Sequence, residues 1–260
     1  MKLYRFEKNE EERLNSIKNG NIFISSPKSF NDLDDCSLNS IYSTNRKNME
    51  AALHALYESE DDFPYGQIVF KLLKKFLDNE APDKDQPTAQ KNKETLAQKI
   101  YDPIRNETGI YCFFSGAPLH PLMWAHYANN HTGFCIEYNF EDQTRETPLY
   151  EVDYSTKSVQ LSIDELLLCP QQAFTRLLTT KSSEWQYEKE FRLIYLNAVP
   201  SYKNGTTIQR PKTIIPSKLI TGDKFCYAMN EKLIKSLNIE IVEYKKFVAD
   251  QKKQLNKDRP

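Results

Sequence analysis

Within SSEWQYEKEFRLIY, residues 182–195, two glutamates and an arginine stand at alternate positions as Glu188, Glu190 and Arg192. Alternate side chains leave a β-strand on the same face. The spacing therefore predicts two carboxylates and a guanidinium in a row, with Phe191, Leu193 and Tyr195 on the opposite face. Paired carboxylates can divide acid and base roles between them, or stabilise a positive charge that develops in a transition state. The same E-x-E-x-R row would equally serve as an exposed strand face with a stabilising ion pair.

Two further groups carry usable chemistry. HPLMWAHYANNHTG holds His120, His126 and His131 around Trp124 and Tyr127, without the H-x-x-x-H spacing of a helical zinc pair. It predicts a short helix that packs Leu122, Met123 and Tyr127 inward. His126 and Asn130, four apart, would then line a cleft on its other side as substrate contacts. Asp32, Asp34 and Asp35 follow ISSPKSFN, where a solvated turn is capped by Asn31 or Asp32. Alternatively, Asp32 or Asp34 joins Glu188 and Glu190 as oxygen ligands for magnesium, the arrangement of a metal-dependent nuclease.

These groups need a scaffold. The 260 residues, 39% hydrophobic with 14 Phe and 15 Tyr, suffice for one large domain or a domain with an insertion. KLYRF reads as a strand, NEEERLNSIKNG as a helix stopping at Gly20, and NIFISS as a second strand ended by Pro27. Residues 48–106 carry helical spacing broken by polar stretches, which predicts a helical insertion over about 45–107 with DNEAPDKDQPTAQKN as an exposed linker. GIYCFFS, GFCIEYNF and PLYEVDY read as strands, and SIDELLLCPQQAFTRLLTT as an amphipathic helix interrupted near Pro170. After the glutamate strand come KTIIP, KLITGD, the helix NEKLIKSL, the strand IEIVEYK and a basic tail, 250–260, expected to fray. Helices and strands mix without βαβ alternation, so the expected class is α+β.

Composition excludes several functions. Seven glycines never form G-x-G, and G-x-S-x-G is absent, so neither a backbone phosphate cradle nor a nucleophile elbow is built in its usual form. The 35 basic and 36 acidic residues nearly cancel and give no global attraction to nucleic acid or membrane. Five scattered cysteines without C-x-x-C predict reduced thiols, mostly buried, and no zinc site. No apolar run has membrane-spanning length, and MKLYRFEKNEEERL turns acidic where a signal peptide is apolar, so a cytoplasmic protein without a membrane partner is expected.

Four segments, LYRF, IFISSPKSFND, LMWAHYANNHTGFCIEYNF and WQYEKEFRLI, resemble the uncharacterised bacterial family known as domain of unknown function 2971. FNDLDD departs from that family's pattern, which places proline and phenylalanine between the asparagine and the last aspartate. The order LYRF, helix, Gly20, IFISSP, helices, GIYCFFS and a late strand with Glu190 is more distantly similar to the NAD-dependent ADP-ribosyltransferases. That resemblance implies a split mixed or antiparallel sheet around an NAD cleft, with a helical insertion.

It further implies Glu190 and Glu188 as catalytic residues, with Glu190 gripping the nicotinamide ribose and Glu188 orienting or deprotonating an acceptor. Arg5, Ser25, Tyr111 or Ser115, and Trp185 would bind the dinucleotide, and His126, Tyr127 and Arg192 would meet the substrate. NAD would be a substrate, and the acceptor an unknown protein or nucleic acid. A role as a bacterial toxin or phage-defence effector follows from the same resemblance, with a partner subunit of a defence system as a further expectation. The alternatives are the nuclease and a non-catalytic nucleotide or partner sensor.

Overall fold

The computed structural model describes residues 1–32, 34–42, 98–141, 148–154 and 159–257, with isolated helical positions at 54, 71, 74 and 75. Most of the expected helical insertion lies outside the described residues, while 98–107 are helical as the spacing predicts. The class is α+β: among the described residues a mostly antiparallel nine-stranded sheet carries helices on its faces.

β1 (Lys2–Glu7) pairs antiparallel with β5 (Phe134–Phe140), from Lys2 opposite Asn139 to Glu7 opposite Phe134. β10 (Ile214–Thr221) lies on the other edge of β5 and takes β11 (Glu240–Glu243) in parallel. β4 (Gly109–Phe114) is paired along its full length by β8 (Glu190–Tyr195), which also carries β6 (Leu149–Glu151). On the remaining edge of β4, β1 meets it at Tyr4 opposite Phe114, and β2 (Asn21–Ser25) meets it at Ser25 opposite Ile110. The sheet therefore splits along β4, with Cys112 midway between the two junctions. Arg5 enters the split and donates from Nη1 to the Cys112 carbonyl at 3.0 Å.

Period-two alternation explains how one strand serves two layers. Leu3 enters one core with Ile22, Phe113, Ile136 and Leu193, covered by Leu14 and Ile17 of α1 (Glu11–Lys18) and by Ile234 of α5 (Glu231–Lys235). Tyr4 and Phe6 enter the other with Met123 and Trp124 of α2 (Pro121–Tyr127) and Phe247 of α6 (Tyr244–Lys257). A third core joins α3 (Ile163–Leu168) and α4 (Pro170–Thr179) to Ile100 and Ile104 and to a two-stranded parallel sheet of β3 (Leu38–Tyr42) and β7 (Val159–Ser162). Ser162 opens α3 with a capping box: its hydroxyl accepts from the Glu165 amide at 3.0 Å, and its own amide donates to Glu165 Oε2 at 2.8 Å. The break expected near Pro170 separates α3 from α4, because the proline ring cannot continue the hydrogen-bonded ladder.

Several elements differ from expectation. β3, β7 and the edge strand β9 (Gly205–Gln209), which pairs β2, have short polar sequences whose strand character comes from their partners. KTIIP and KLITGD belong to one strand, β10, irregular between Pro216 and Lys218, where proline has no N–H to donate. α6 carries helix through Lys257, into the stretch expected to fray. The free cysteines are buried only at 36 and 135; Cys112 is half-buried because it faces the split beside β4, and Cys169 and Cys226 are exposed because each falls at an element end. Among the described residues no helix is long and apolar enough to cross a membrane.

Candidate functional site

The split opens into a cleft of about 390 Å³, in the size range of small-molecule sites. β1 supplies Arg5, with Lys8 just beyond its end. The end of β2 and the following loop supply Ser25, Ser29, Phe30, Asn31 and Asp35. β4 contributes Ile110, Cys112 and Phe114; α2 contributes His126 and Tyr127; Lys181 and Glu190 close the far wall. Ser25, Arg5, His126, Tyr127 and Glu190 thus line one cleft.

The remaining predicted site residues are placed elsewhere. Glu188 and Arg192 are wholly buried behind the cleft wall. Tyr111 points into the core, where its hydroxyl is 3.2 Å from that of Tyr138; the Arg5 guanidinium covers its ring at 4.7 Å. Ser115 is half-buried, and its amide donates to the Lys189 carbonyl at 2.9 Å. Trp185 stands beside the cleft, 5.9 Å from His126 between ring centroids and 4.9 Å from the Lys181 ammonium. Asn130 does not share a helical face with His126, since α2 ends at Tyr127 and residues 129–131 adopt left-handed backbone. Leu122 is 46% exposed rather than packed inward, while Trp124 takes the core position.

The E-x-E-x-R row itself differs in form. Ser183–Glu188 is a 3-10 turn, Lys189 has φ of 47°, and the strand begins only at Glu190. The row is also not a solvent-facing surface: Glu188, Glu190 and Arg192 are all buried. A residue the spacing did not mark, Lys181, makes this burial tolerable. Its ammonium lies 2.7 Å from Glu188 Oε2, 3.2 Å from Glu190 Oε2 and 3.4 Å from Asp35 Oδ2. Arg192 donates from Nε to Glu190 Oε1 at 2.8 Å, from Nη2 to Glu190 Oε2 at 3.0 Å and to Asp35 Oδ2 at 2.7 Å. Its Nη1 reaches the Leu178 carbonyl at 2.7 Å and Cys36 Sγ at 3.1 Å.

Asp35, rather than Asp32 or Asp34, is the acid that enters from the loop. Asp32 instead accepts from the Asp34 amide at 3.0 Å and shapes the turn, and Asp34 is exposed. The Lys181 ammonium stands where a cation shared by Asp35, Glu188 and Glu190 would stand. Among the described residues no group of three His, Cys, Asp or Glu side chains is arranged to hold a metal ion. The only sequence hint of Lys181 was a lone cation between the apolar end of α4 and SSEW.

Three buried acids face two buried bases, and low-dielectric surroundings penalise the uncompensated charge. Burial also opposes ionisation of Glu190, but Arg192 and Lys181 outweigh it and hold this carboxyl well below the usual range. Glu188 absorbs the mismatch: burial, aided by repulsion from Glu190 and only partly offset by Lys181, pushes it up to about 7. The Tyr127 hydroxyl donates to Glu188 Oε1 at 2.6 Å. Two carboxyl groups two residues apart thus differ in protonation, the condition for unlike acid and base roles.

Residues 123–193 match the family described as Protein of unknown function (DUF2971). That span runs from α2 to β8 and contains Tyr127, Lys181, Glu188, Glu190 and Arg192, whereas Arg5 and Asp35 lie outside it. No curated protein and no solved structure matches the chain.

Proposed function

We propose that the cleft binds NAD and that the protein transfers ADP-ribose from it to an acceptor nucleophile or to water. The carrying observation is that Arg5 of β1 and Glu190 of β8, drawn from opposite sides of β4, line one cleft of small-molecule size. Arg5 spends Nε on Glu7 and one Nη1 hydrogen on the Cys112 carbonyl, so other guanidinium hydrogens remain for an anionic ligand. Among the described residues nothing accepts from the Lys8 ammonium, which adds a second cation for phosphate oxygens.

Cleavage of the nicotinamide–ribose bond develops positive charge on the sugar, and an ionised Glu190 stabilises that charge more than it stabilises the ground state. Four donors already reach Glu190: two from Arg192, one from Lys181 and the Cys112 thiol. The thiol is the weakest of them and lines the cleft, so a ribose hydroxyl would take its place. The acceptor would be a protein side chain, a nucleic-acid base or water.

The same crowding of donors on Glu190 favours one second reading, a nucleotide sensor in which the network is structural and nothing is cleaved. Incubation with nicotinamide-labelled NAD separates the two. Release of nicotinamide by the wild type and its loss in Glu190→Gln supports the transferase; tight NAD binding with no release supports the sensor.

A further inference from the structure

We infer that Tyr127 is the catalytic residue that takes the acceptor's proton in the cleft while handing its own hydroxyl proton to Glu188, a positioning carboxylate that no cleft ligand reaches. This rests on the transferase reading and adds to it the path of the proton. Glu188 cannot act on an acceptor directly: it is 0% exposed and is not part of the cleft wall, whereas Tyr127 is. The two are joined by a bond of 2.6 Å from the Tyr127 hydroxyl to Oε1. Lys181 fixes the other oxygen, Oε2, at 2.7 Å, so the carboxylate presents Oε1 to the tyrosine. The ring is held by packing on Phe114, with centroids 5.2 Å apart.

The groups facing Glu188 define its titration. Lys181 and Tyr127 touch it; Glu190 and Asp35 share the same ammonium; Arg192 stands behind both acids; Tyr154 and Tyr187 complete the surround. A buried phenol is a poor base by itself, because burial pushes Tyr127 above its ordinary range. It can pass a proton only if another group accepts its own at the same time.

The step balances. The acceptor O–H or N–H attacks ribose C1′ as the bond to nicotinamide breaks, and that electron pair leaves with neutral nicotinamide. The acceptor's proton moves to the Tyr127 oxygen, and the Tyr127 proton moves to Glu188 Oε1. Tyr127 ends unchanged and Glu188 neutral, and the proton returns to water through the same hydroxyl after product departs.

The test measures nicotinamide release from NAD by the full chain from about pH 5 to about pH 9 for wild type, Tyr127→Phe and Glu188→Gln, spanning the ionisation of Glu188. Wild-type kcat should rise with pH as Glu188 ionises. Each variant should lower kcat about 100-fold, the size of one acid–base contribution, leave KM for NAD near the wild-type value and flatten the rising limb. Thermal unfolding establishes that each variant is folded. Carbon NMR of the Glu188 carboxyl in the wild type supplies a reading independent of turnover. Full kcat with an intact limb in Tyr127→Phe overturns the relay alone, as does a Glu188 that stays ionised across the range. A folded wild type that releases no nicotinamide overturns the transferase and the relay together.

Discussion

Arg192 grips Glu190 with two nitrogens, Nε on Oε1 at 2.8 Å and Nη2 on Oε2 at 3.0 Å, and both side chains are buried. The same guanidinium reaches Asp35 and the Leu178 carbonyl, so one side chain ties β8 to the loop before β3 and to the end of α4. A planar fork with five N–H groups can do this; an ammonium cannot. The cleft wall therefore depends on a group that no ligand touches.

Removing that group leaves three buried carboxylates with the Lys181 ammonium as their sole close counter-charge among the described residues. Arg192→Met should lower stability by about 3 to 5 kcal/mol, the cost of breaking a buried ion pair from one side. Arg192→Lys should recover only part of it. Urea denaturation followed by circular dichroism checks this, and a midpoint matching the wild type would count against the network as a stabilising element.

Glu188 should make stability depend on pH. Its carboxyl titrates higher folded than unfolded, so the folded protein holds the extra proton over the interval between the two values. Its contribution is therefore complete below the ordinary carboxylate range and is lost as pH rises through about 7. The melting temperature should fall from mildly acidic to mildly basic pH, and Glu188→Gln should flatten that fall. Glu190 has the opposite sign: its contribution is present above the ordinary range and is lost only as pH drops below it. A wild-type melting temperature constant across neutrality would refute the assignment to Glu188.

The role assigned to Glu190 predicts a rate effect. Glu190→Gln keeps size and some hydrogen bonding but removes the charge, and should lower nicotinamide release by about 100-fold or more with a smaller change in KM. Because the substitution leaves Arg192 and Lys181 less compensated, its unfolding curve must accompany the kinetics. A folded Glu190→Gln with wild-type turnover would remove Glu190 from the chemistry.

Lys8 predicts an affinity effect instead. Lys8→Gln should raise KM for NAD about tenfold at low salt with kcat unchanged, and the difference should shrink as salt screens the exposed charge. Titration with ADP-ribose reads the same contact without turnover. Equal affinities in wild type and variant at low salt would show that the ammonium does not meet the ligand.

The local elements were determined by sequence alone wherever a short-range cause sufficed. Gly20, with φ of 70°, ends the region of α1 because it tolerates that backbone without strain, and Pro170 separates α3 from α4 because it lacks an N–H. The apolar and aromatic runs of β1, β4 and β5 likewise marked them as strands. Arg5 and Glu190 were legible as partners only through the order of the motifs, and the split along β4 is what brings them to one cleft.

Tertiary structure alone decided the environment of the charges. The spacing of Glu188, Glu190 and Arg192 is the same whether a strand faces water or the interior; burial by α4 and the loop at Asp35 settles it, and those contacts join residues as far apart in sequence as 35 and 192. Lys181 has no motif of its own, since its role arises from where three carboxylates converge. Tyr127 reads as core from its helix, yet its hydroxyl connects the cleft to Glu188 because α2 ends there against β4 and the turn before β8. Long-range convergence of this kind leaves no periodic trace in the chain, because periodicity records only which face a residue shares with its near neighbours.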